Sequence, residues 1–477
     1  MAAPQIRFDN SYARLPDRFF ARQEPVPVAK PRLIAVNAPL AQRLGLDAAA
    51  LAADPALLTG NRIAEGASPV AQAYAGHQFG GFSPSLGDGR AILLGEVVAP
   101  DGARFDLALK GSGPTPFSRR GDGRAWLGPV LREYVVSEAM AALGVPTTRA
   151  LAAAATGETV WRDLPRPGAV LTRVAASHIR VGTFQYFAAR DDREALAALL
   201  DYTIARHYPD LADAPDRATA LFAAVLGRQA RLVARWMSLG FVHGVMNTDN
   251  MAVSGETIDY GPCAYLEGYD PAKVFSSIDT GGRYAYGNQP RAAAWNLGQF
   301  GSALVPVMGD EQAAVDRLTA ILQTFPEVYE AEWLRLFRAK IGISTEDPGD
   351  RELVETLLTR MHAADADFTR TFRGLATGSA AAEFADPKGF EDWARDWRDR
   401  IRAEPAPDAL MRRTNPALIA RNHQVEAMIQ AAVAGDYAPF ERLNRALATP
   451  CDDQPGTGDL AARAGVDEEV TRTFCGT

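Results

Sequence analysis

The spacing of the apolar residues changes along this chain near residue 190. Up to that point, short segments with strand-like alternation are separated by loops rich in glycine and proline. Beyond it, successive segments show the three-four spacing that is typical of helices burying one face. Helices are predicted there at residues 193–208, 217–239, 291–300, 310–325, 328–341, 351–373, 390–403, 418–434 and 440–447. The sequence therefore predicts an α+β protein, with a β-rich lobe within residues 1–185 and a mainly helical lobe over residues 186–477. Residues 1 to about 65 are predicted to be an irregular N-terminal arm with one short helix, and a polar tail from residue 449 ends a C-terminal extension.

The β-rich part contains a glycine-rich stretch followed by two predicted strands. Residues 75–90 hold the glycines, and the strands are predicted at Ala91–Val98 and Arg104–Lys110. Glycine lets backbone N–H groups approach a phosphate closely, although an ordinary surface loop would have the same composition. Lys110 ends the second strand on the face opposite its three large apolar residues, where a solvated lysine is the simplest interpretation. These features indicate a nucleotide site only together with the rest of the chain.

A helix is predicted after these strands, and it should supply a partner for Lys110. Residues 111–129 carry many glycines and prolines and are predicted to form a loop, and the helix is predicted at Leu131–Leu143. Glu133, in its first turn, is our choice as the partner of Lys110, although a glutamate there also favours the helix dipole. Glu138 is the second candidate.

Two arginines follow in an apolar setting. A strand is predicted at Ala169–Val174 with Arg173 inside it, and Arg180 comes shortly after. An arginine inside an apolar strand is costly unless an anion pairs with it. The sequence therefore predicts an anionic partner, either a carboxylate such as Glu133 or a phosphate of a ligand.

The stretch from Phe241 to Pro262 concentrates polar residues in two loops. The first loop carries His243, Asn247, Asp249 and Asn250, and the second carries Asp259. Between the loops, residues 251–253 and 257–258 are predicted to be short strands joined by a turn. Such a hairpin would place Asn250 beside Asp259, and an amide oxygen beside a carboxylate suits a hard cation such as Mg²⁺. A polar turn before a surface hairpin is the alternative interpretation.

This layout resembles the catalytic centre of protein-kinase-like folds. In those folds a loop containing histidine ends in a metal-binding asparagine, and a following hairpin carries an aspartate to the metal. His243 and Asn250 have the expected spacing, but Val245 stands where the catalytic aspartate should be. Asp249 is the carboxylate that remains in the loop. The resemblance implies a bilobed kinase-like fold with an altered catalytic base.

The composition excludes several classes of partner. The net charge is −8, and no block of basic residues indicates a nucleic-acid site. No apolar run approaches the roughly 18 residues that a membrane span needs, and the N-terminus lacks the apolar core of a signal peptide. The three cysteines form neither a disulfide framework nor a zinc pattern. We expect a monomeric protein of the reducing cytoplasm.

Several stretches are similar to the selenoprotein O family of pseudokinases, and together they span nearly the whole chain. They are Gly76–Ser83, Leu86–Arg90, Leu109–Arg124, His243–Asn250, Ile258–Pro262, Asn415-Pro416 and Arg421-Asn422. The resemblance implies a kinase-like fold that binds ATP inverted relative to ordinary kinases and transfers AMP to Ser, Thr or Tyr hydroxyls of proteins. It also implies Mg²⁺ or Mn²⁺ as cofactor, and UMP transfer from UTP is attributed to bacterial members.

The family's functional residues map onto this chain through those motifs. Lys110 and Glu133 match the ion pair, and Asp249 matches the proton acceptor. The metal ligands correspond to Asn250 and Asp259. The nucleotide contacts correspond to Gly87, Gly89, Arg90, Lys110, Asp122, Gly123, Arg173, Arg180 and Asp259. With an inverted nucleotide the terminal phosphates lie deeper, where Arg173 and Arg180 would supply positive charge.

One feature departs from the family. Eukaryotic members carry selenocysteine near the C-terminus, where this chain has Cys475, and some bacterial members pair that cysteine with one in the activation segment. The usual partner position is Phe275 here, and Cys263 is the nearby thiol. We therefore interpret Cys263 as a structural core cysteine.

Two other functions stay open from the sequence. A phosphotransferase acting on a protein or a small molecule would use the same fold, with Asp249 as its base. A catalytically inactive nucleotide-binding scaffold would need no metal site, so the retained Asn250 and Asp259 argue against it.

Overall fold

The computed structural model describes residues 6–474. Its strands are β1 Phe20–Arg22, β2 Arg32–Val36, β3 Val70–Gln72, β4 Gly76–Gln78, β5 Gly81–Ser83, β6 Ala91–Val98, β7 Arg104–Lys110, β8 Ala125–Trp126, β9 Arg149–Trp161, β10 Pro165–Ala175, β11 Phe241–Val242 and β12 Ala264–Tyr265. Its α-helices are α1 Ala38–Arg43, α2 Ala48–Ala52, α3 Pro55–Thr59, α4 Leu127–Ala142, α5 Val181–Ala188, α6 Arg193–His207, α7 Arg217–Ser238, α8 Gln289–Leu304, α9 Glu311–Leu322, α10 Phe325–Lys340, α11 Asp350–Ala363, α12 Phe368–Leu375, α13 Pro387–Ile401, α14 Pro407–Thr414, α15 Asn422–Val433, α16 Ala438–Ala446 and α17 Gly458–Ala461.

One antiparallel sheet organises the first part of the chain. Its strands run in the order β1-β3-β6-β7-β10-β9-β2, and β8 pairs with β10. The strands predicted at 91–98 and 104–110 are confirmed as β6 and β7. Lys110 lies opposite Leu171 of β10, and Arg173 lies opposite Ala108 of β7. Because opposite residues share a face, Lys110 and Arg173 project from the same side of the sheet.

The two faces of this sheet are covered by different parts of the chain. On one face, Leu107 and Leu109 of β7 belong to a buried cluster with residues of α1–α3. On the other face, Leu171 shares a buried cluster with Leu131 of α4 and with the helical half of the chain. Side chains alternate along a strand, so Lys110 points toward α4. The predicted separation of Lys110 from the large apolar residues of its strand is confirmed.

The prediction of an irregular arm over residues 1–65 is wrong for its described part, residues 6–65. β1 and β2 form the two edges of the sheet, and α1–α3 cover one of its faces. The prolines that suggested irregular structure include Pro39 and Pro55, which lie in the first turns of α1 and α3. Proline fits there because the first N–H groups of a helix have no partner within it.

Two helix boundaries also differ from the prediction. α4 begins at Leu127 rather than at Leu131, so Gly128 and Pro129 are helical and Glu133 lies beyond the first turn. The single helix predicted at 351–373 is divided into α11 and α12 by a connection in which Asp365 has a φ of 48°. The remaining predicted helices are present, with ends shifted by a few residues.

α4 is held between the sheet and the C-terminal helices. Arg132 of α4 pairs with Glu426 of α15, and the ring of Tyr134 meets that of Phe440 of α16 edge-on at 5.5 Å. The extension therefore supports the helix that carries Glu133. Across residues 6–474, no helix combines the length and apolarity that crossing a bilayer requires.

Candidate active site

Four charged side chains form one ionic cluster on the α4 side of the sheet. Lys110 Nζ contacts Glu133 Oε2 and lies 2.6 Å from Asp259 Oδ1. Arg173 Nη1 donates to the same Asp259 oxygen at 2.7 Å and to Glu133 Oε1 at 3.2 Å. Two cations thus alternate with two carboxylates. The structure brings Lys110 and Glu133 together, as the sequence predicted.

Glu138, the second candidate for Lys110, has other partners. Its carboxylate accepts hydrogen bonds from Arg149 Nε at 2.9 Å, Arg149 Nη2 at 2.6 Å and the N–H of Ala150 at 2.9 Å. It also accepts from Asn37 Nδ2 at 2.7 Å. Glu138 therefore ties α4 to β9 and to the start of α1, away from the ionic cluster.

Arg180 is the third cation that contacts Asp259. Arg180 Nη1 donates to Asp259 Oδ2 at 3.3 Å. Burial alone would raise the pKa of Asp259, but Lys110, Arg173 and Arg180 outweigh it and hold that pKa well below its ordinary value. The backbone of Asp259 is left-handed, with a φ of 64°, and its carbonyl accepts the N–H of Gly261 at 2.9 Å. A tight turn thus presents this carboxylate, in its ionised form, to three cations.

His243 joins the two loops that the sequence singled out. Its N–H donates to Gln289 Oε1 at 2.9 Å, and its ring Nε2 lies 2.9 Å from the carbonyl of Ile258. Because that carbonyl accepts only, Nε2 carries the proton and Nδ1 accepts from the N–H of Val245 at 3.4 Å. Burial lowers the pKa of His243, which keeps the ring neutral. The ring therefore fixes the segment that leads into Asp259.

Arg180 connects Asp259 to the loop that contains Asp249. Its Nη1 donates to the backbone carbonyl of Asp249 at 2.8 Å as well as to Asp259. Arg180 is the residue immediately before α5, and its guanidinium lies over the ring of Tyr74 at 4.5 Å. One arginine thus sets the separation between the two loops.

Asp249 is buried and has one carboxylate oxygen without a hydrogen-bond partner within the described residues. That oxygen is Oδ1. Burial raises the pKa of Asp249 to about 6, although Arg180 acts in the opposite direction. A carboxylate with a free oxygen and a pKa close to neutrality can accept a proton from a hydroxyl group.

The β4–β5 hairpin covers the loop of Asp249. The N–H of His77 donates to Thr248 Oγ1 at 2.7 Å, and the N–H of Phe79 donates to Asn247 Oδ1 at 3.0 Å. The first half of the glycine-rich stretch therefore lies against the loop of the proposed base. Sequence reasoning missed this contact, because it joins segments that are far apart in the chain.

Gly87, Gly89 and Arg90 lie where the second half of that stretch enters β6. Gly87 has a φ of 66°, and a Cβ there would come within 2.2 Å of the ring of Phe117. A Cβ on Gly89 would come within 3.0 Å of the Phe117 carbonyl oxygen. The carbonyl of Arg90 accepts the N–H of Gly111 at 2.8 Å, which places Arg90 beside the end of β7. The two glycines thus let the loop around Phe117 approach the backbone closely.

Asp122 and Gly123 have local partners. Arg162 donates to Asp122 Oδ1 at 3.0 Å and to Oδ2 at 2.8 Å, and the carbonyl of Gly123 accepts the N–H of Gly113 at 3.1 Å. Among the hydrogen bonds of residues 6–474, none joins Asp122 or Gly123 to the ionic cluster.

The hairpin predicted between Asn250 and Asp259 is wrong in its pairing. Its turn exists, since the N–H of Gly255 donates to the carbonyl of Ala252 at 3.1 Å. The two arms do not pair with each other in the described structure: Ala252 bridges to Arg180, and Thr257 bridges to Thr147. The backbone N–H and C=O groups of the two arms need hydrogen-bond partners, and neighbouring segments supply them.

Asn250 and Asp259 are the metal ligands that the sequence predicts, and no described hydrogen bond or ion pair joins them. Asn250 Nδ2 donates to the carbonyl of Val245 at 3.0 Å, which leaves its amide oxygen available as a ligand. Between residues 6 and 474, no group of three or more His, Cys, Asp or Glu side chains is arranged to hold a metal. An amide oxygen and a carboxylate are nevertheless donor types that Mg²⁺ accepts.

Comparison with known proteins identifies the family. A family model described as protein adenylyltransferase SelO matches residues 3–448. The chain belongs to this family. It is 59% identical to the protein nucleotidyltransferase YdiU of Jannaschia sp. (strain CCS1), over 98% of this chain and 99% of that protein. It is 57% identical to the proteins of the same name from Ruegeria sp. (strain TM1040) and Rhizobium leguminosarum bv. trifolii (strain WSM2304), over 99% and 100% of this chain and 99% and 98% of theirs.

The cysteine positions that distinguish this member of the SelO family are only partly described. Cys475 lies outside the described residues. Cys263 is buried, as expected of a structural cysteine, and its carbonyl lies 3.3 Å from Arg132 Nη1. The carbonyl of Phe275 accepts the N–H of Thr473 at 2.7 Å, so the C-terminal tail runs beside Phe275.

Proposed function

We propose that the protein transfers AMP from ATP to Ser, Thr or Tyr hydroxyls of other proteins and releases pyrophosphate. One observation carries the proposal: Arg180 Nη1 bonds both the carbonyl of Asp249 and the carboxylate of Asp259. The guanidinium of Arg180 thus joins the loop of Asp249, the proposed proton acceptor, to Asp259, the carboxylate that three cations contact. Membership of the SelO family and the names of its relatives support the same chemistry.

Lys110, Arg173 and Arg180 would bind the triphosphate. Arg173 and Arg180 are each only 2% exposed, so they supply positive charge deep in the site. Arginine binds phosphate oxygens with paired, charge-assisted hydrogen bonds. When a triphosphate enters, its oxygens would take over donors that now serve Asp259. Deep cations favour a nucleotide whose terminal phosphates lie innermost, which is the inverted orientation.

Asp249 would take the proton of the substrate hydroxyl with its carboxylate. As that O–H bond breaks, the hydroxyl oxygen bonds to the α-phosphorus, and the bond from the α-phosphorus to the oxygen bridging to the β-phosphate breaks. Pyrophosphate leaves with the electron pair of that bond, and Lys110 and Arg173 stabilise its charge. Val245 stands where an ordinary kinase has its base, so attack on the γ-phosphorus would lack that base.

Mg²⁺ or Mn²⁺ would be held by Asn250 and Asp259, and it would add positive charge against the α-phosphate and the leaving pyrophosphate. Glu133 would keep Lys110 and Arg173 in place when Asp259 turns to the metal. Gly87, Gly89, Arg90, Asp122 and Gly123 remain proposed nucleotide contacts, on the strength of the family motifs.

We also propose that the molecule has the two lobes of a kinase-like fold. The nucleotide lobe would comprise residues 1–185, with β7, β10 and α4 supplying Lys110, Arg173 and Glu133. The catalytic lobe would comprise residues 186–477, with the loops after α7 supplying Asp249 and Asp259. The ionic cluster is the place where residues of the two lobes meet.

The experiment that tests this function follows the phosphate that is retained. The protein is incubated with Mg²⁺ and ATP labelled at the α or the γ phosphate, with a protein acceptor or its own chain, and label in protein is counted. AMP transfer retains the α label and releases the γ label in pyrophosphate. Incorporation of the γ label alone would establish a phosphotransferase instead, and binding of ATP without incorporation of either label would establish an inactive scaffold.

Asp249→Asn should abolish incorporation while ATP still binds, and unlabelled UTP added as a competitor tests the nucleotide preference.

A further inference from the structure

The segment between β10 and α5 lies between two buried arginines that both contact Asp259. Arg173 lies in β10, and Arg180 immediately precedes α5. Polar groups hold this segment along its length: the N–H of Ala176 donates to Glu256 Oε2 at 2.9 Å, and Ser177 Oγ lies 2.7 Å from His207 Nε2. His178 occupies its centre and is 3% exposed.

His178 contacts both arginines. Arg173 Nε donates to its ring Nε2 at 3.2 Å, and Arg180 Nε donates to its backbone carbonyl at 3.3 Å. Both contacts use the Nε–H, which lies at the stem of the guanidinium group. The outer nitrogen Nη1 of each arginine donates to Asp259.

Asp106 of β7 anchors His178 twice. Its Oδ2 accepts the backbone N–H of His178 at 2.9 Å and lies 2.9 Å from the ring Nδ1. Its Oδ1 accepts from Arg206 Nη2 at 2.7 Å. Asp106 is 2% exposed and has no contact with Asp259 among the described hydrogen bonds and ion pairs. It therefore reaches the ionic cluster through His178.

The partners fix the proton on the ring of His178. Arginine Nε is always a donor, so Nε2 of His178 must accept and Nδ1 must carry the hydrogen that is donated to Asp106. Burial lowers the pKa of His178, which keeps Nε2 free of a proton. A proton there would face the N–H of Arg173.

We propose that His178, oriented by Asp106, is a positioning residue that aims Arg173 at the triphosphate. The inference rests on the proposed function, in which Arg173 binds a phosphate. Arginine has a long side chain with several free torsions, and pairing of its outer nitrogens alone does not fix the plane of the guanidinium. An acceptor at Nε fixes that plane before the nucleotide arrives, as outer-shell carboxylate–histidine pairs do for metal ligands.

Two substitutions of His178 distinguish the role of its ring Nδ1 from that of its ring Nε2. His178→Asn places an amide near Nδ1, where it can still donate to Asp106 but cannot reach Arg173. His178→Gln reaches the position of Nε2 and offers an oxygen to Arg173. We expect His178→Asn to weaken transfer by about 10- to 100-fold, as loss of a supporting residue does elsewhere, and His178→Gln to recover most of it.

The measurements are the KM for ATP, kcat, the melting temperature and the Kd of α,β-methylene ATP with Mg²⁺, which needs no turnover. The matched control is His207→Gln. His207 contacts Ser177 of the same segment, and burial lowers its pKa to about 3, as burial lowers that of His178. No described hydrogen bond joins His207 to Arg173 or Arg180. His207→Gln should lower the melting temperature at most. If both His178 variants transfer and bind like the wild type, or if all three variants lose activity only in proportion to melting temperature, the proposal is overturned.

Nitrogen NMR tests the same contact without a substitution of His178. With ¹⁵N-histidine, the ring of His178 should show an unprotonated Nε2 and a protonated Nδ1, and Arg173→Lys should perturb the Nε2 signal. A protonated Nε2 would overturn the proposal. Failure of the wild type to incorporate α label would instead count against the proposed function, while Kd and the NMR signals would still report on the positioning of Arg173.

Discussion

A Cβ built on Gly76 would lie 2.6 Å from Asp249 Oδ1. Real Cβ atoms do not come that close to a carboxylate oxygen, so an alanine at this position would have to displace Asp249 or the β4–β5 hairpin. The oxygen concerned is the one without a hydrogen-bond partner in the described structure. The absence of one side chain therefore keeps the proposed base in position.

Gly76→Ala should reduce transfer of the α label by about 100-fold, because displacing a reacting group by an ångström has that effect. The Kd of ATP should change little, since the ionic cluster is untouched. Gly81→Ala in the same hairpin is the control: a Cβ there would lie 3.5 Å from the carbonyl oxygen of Gln78, an ordinary contact. Equal activities of the two variants would show that the close approach of Gly76 to Asp249 has no role.

Asp259→Asn should abolish transfer and Mg²⁺-dependent binding of ATP. The substitution removes the charge that Lys110, Arg173 and Arg180 share. Lys110 and Arg173 keep Glu133 as a partner, so the free energy of unfolding should fall by less than the about 3–5 kcal/mol that complete loss of a buried partner costs. ATP in the presence of EDTA should stabilise this variant more than it stabilises the wild type, because its phosphates replace the missing anion. A fully active variant would remove Asp259 from the site.

Lys110→Ala and Glu133→Gln should each reduce transfer by at least about 100-fold, since each removes a group that holds the phosphates or their cations in place. Glu138→Gln is the matched control on the same helix. Because Glu138 binds Arg149 and Asn37, its substitution should lower the melting temperature and leave kcat close to that of the wild type. An inactive Glu138→Gln together with an active Glu133→Gln would reverse our assignment.

Asp249→Asn should stabilise the nucleotide-free protein at pH 7.5. Burial raises the pKa of Asp249 from 3.8 to about 6, so the folded state binds this proton more tightly than the unfolded chain does. The ionised carboxylate therefore costs stability above pH 6, and the cost disappears as the pH falls toward 4. Urea unfolding in EDTA should show a gain on the order of 2 kcal/mol at pH 7.5 and none at pH 4. An equal gain at both pH values would contradict the raised pKa.

Local patterns predicted the strands that carry the ionic cluster. β6 and β7 begin and end where alternation and flanking turns placed them, and the side of the sheet that Lys110 faces followed from the same alternation. β9 was not predicted, because its residues 150–154 include four alanines, all five are buried, and they show no alternation. Strands covered on both faces lose the period on which a strand prediction depends.

Long-range partners could not be read from the sequence. The hairpin between Asn250 and Asp259 was a reasonable local prediction, but its arms pair with Arg180 and Thr147, which are distant in the chain. Likewise, the number of cations around Asp259 depends on three separate elements meeting at one point. Local patterns singled out those residues one by one, but they could not show that Lys110, Arg173 and Arg180 converge on Asp259.

The contacts between α4 and the C-terminal helices bear on how such an enzyme can be controlled. Arg132 and Tyr134, on either side of Glu133, are held by Glu426 and Phe440. Protein kinases need their lysine–glutamate pair in place, and the position of the helix that carries the glutamate controls it. Here a movement of that helix would require the α15–α16 region to undock as well. We therefore expect the Lys110–Glu133 pair to stay closed while α15 and α16 are docked, so that control of this protein would act on the supply of nucleotide or on the approach of its acceptor.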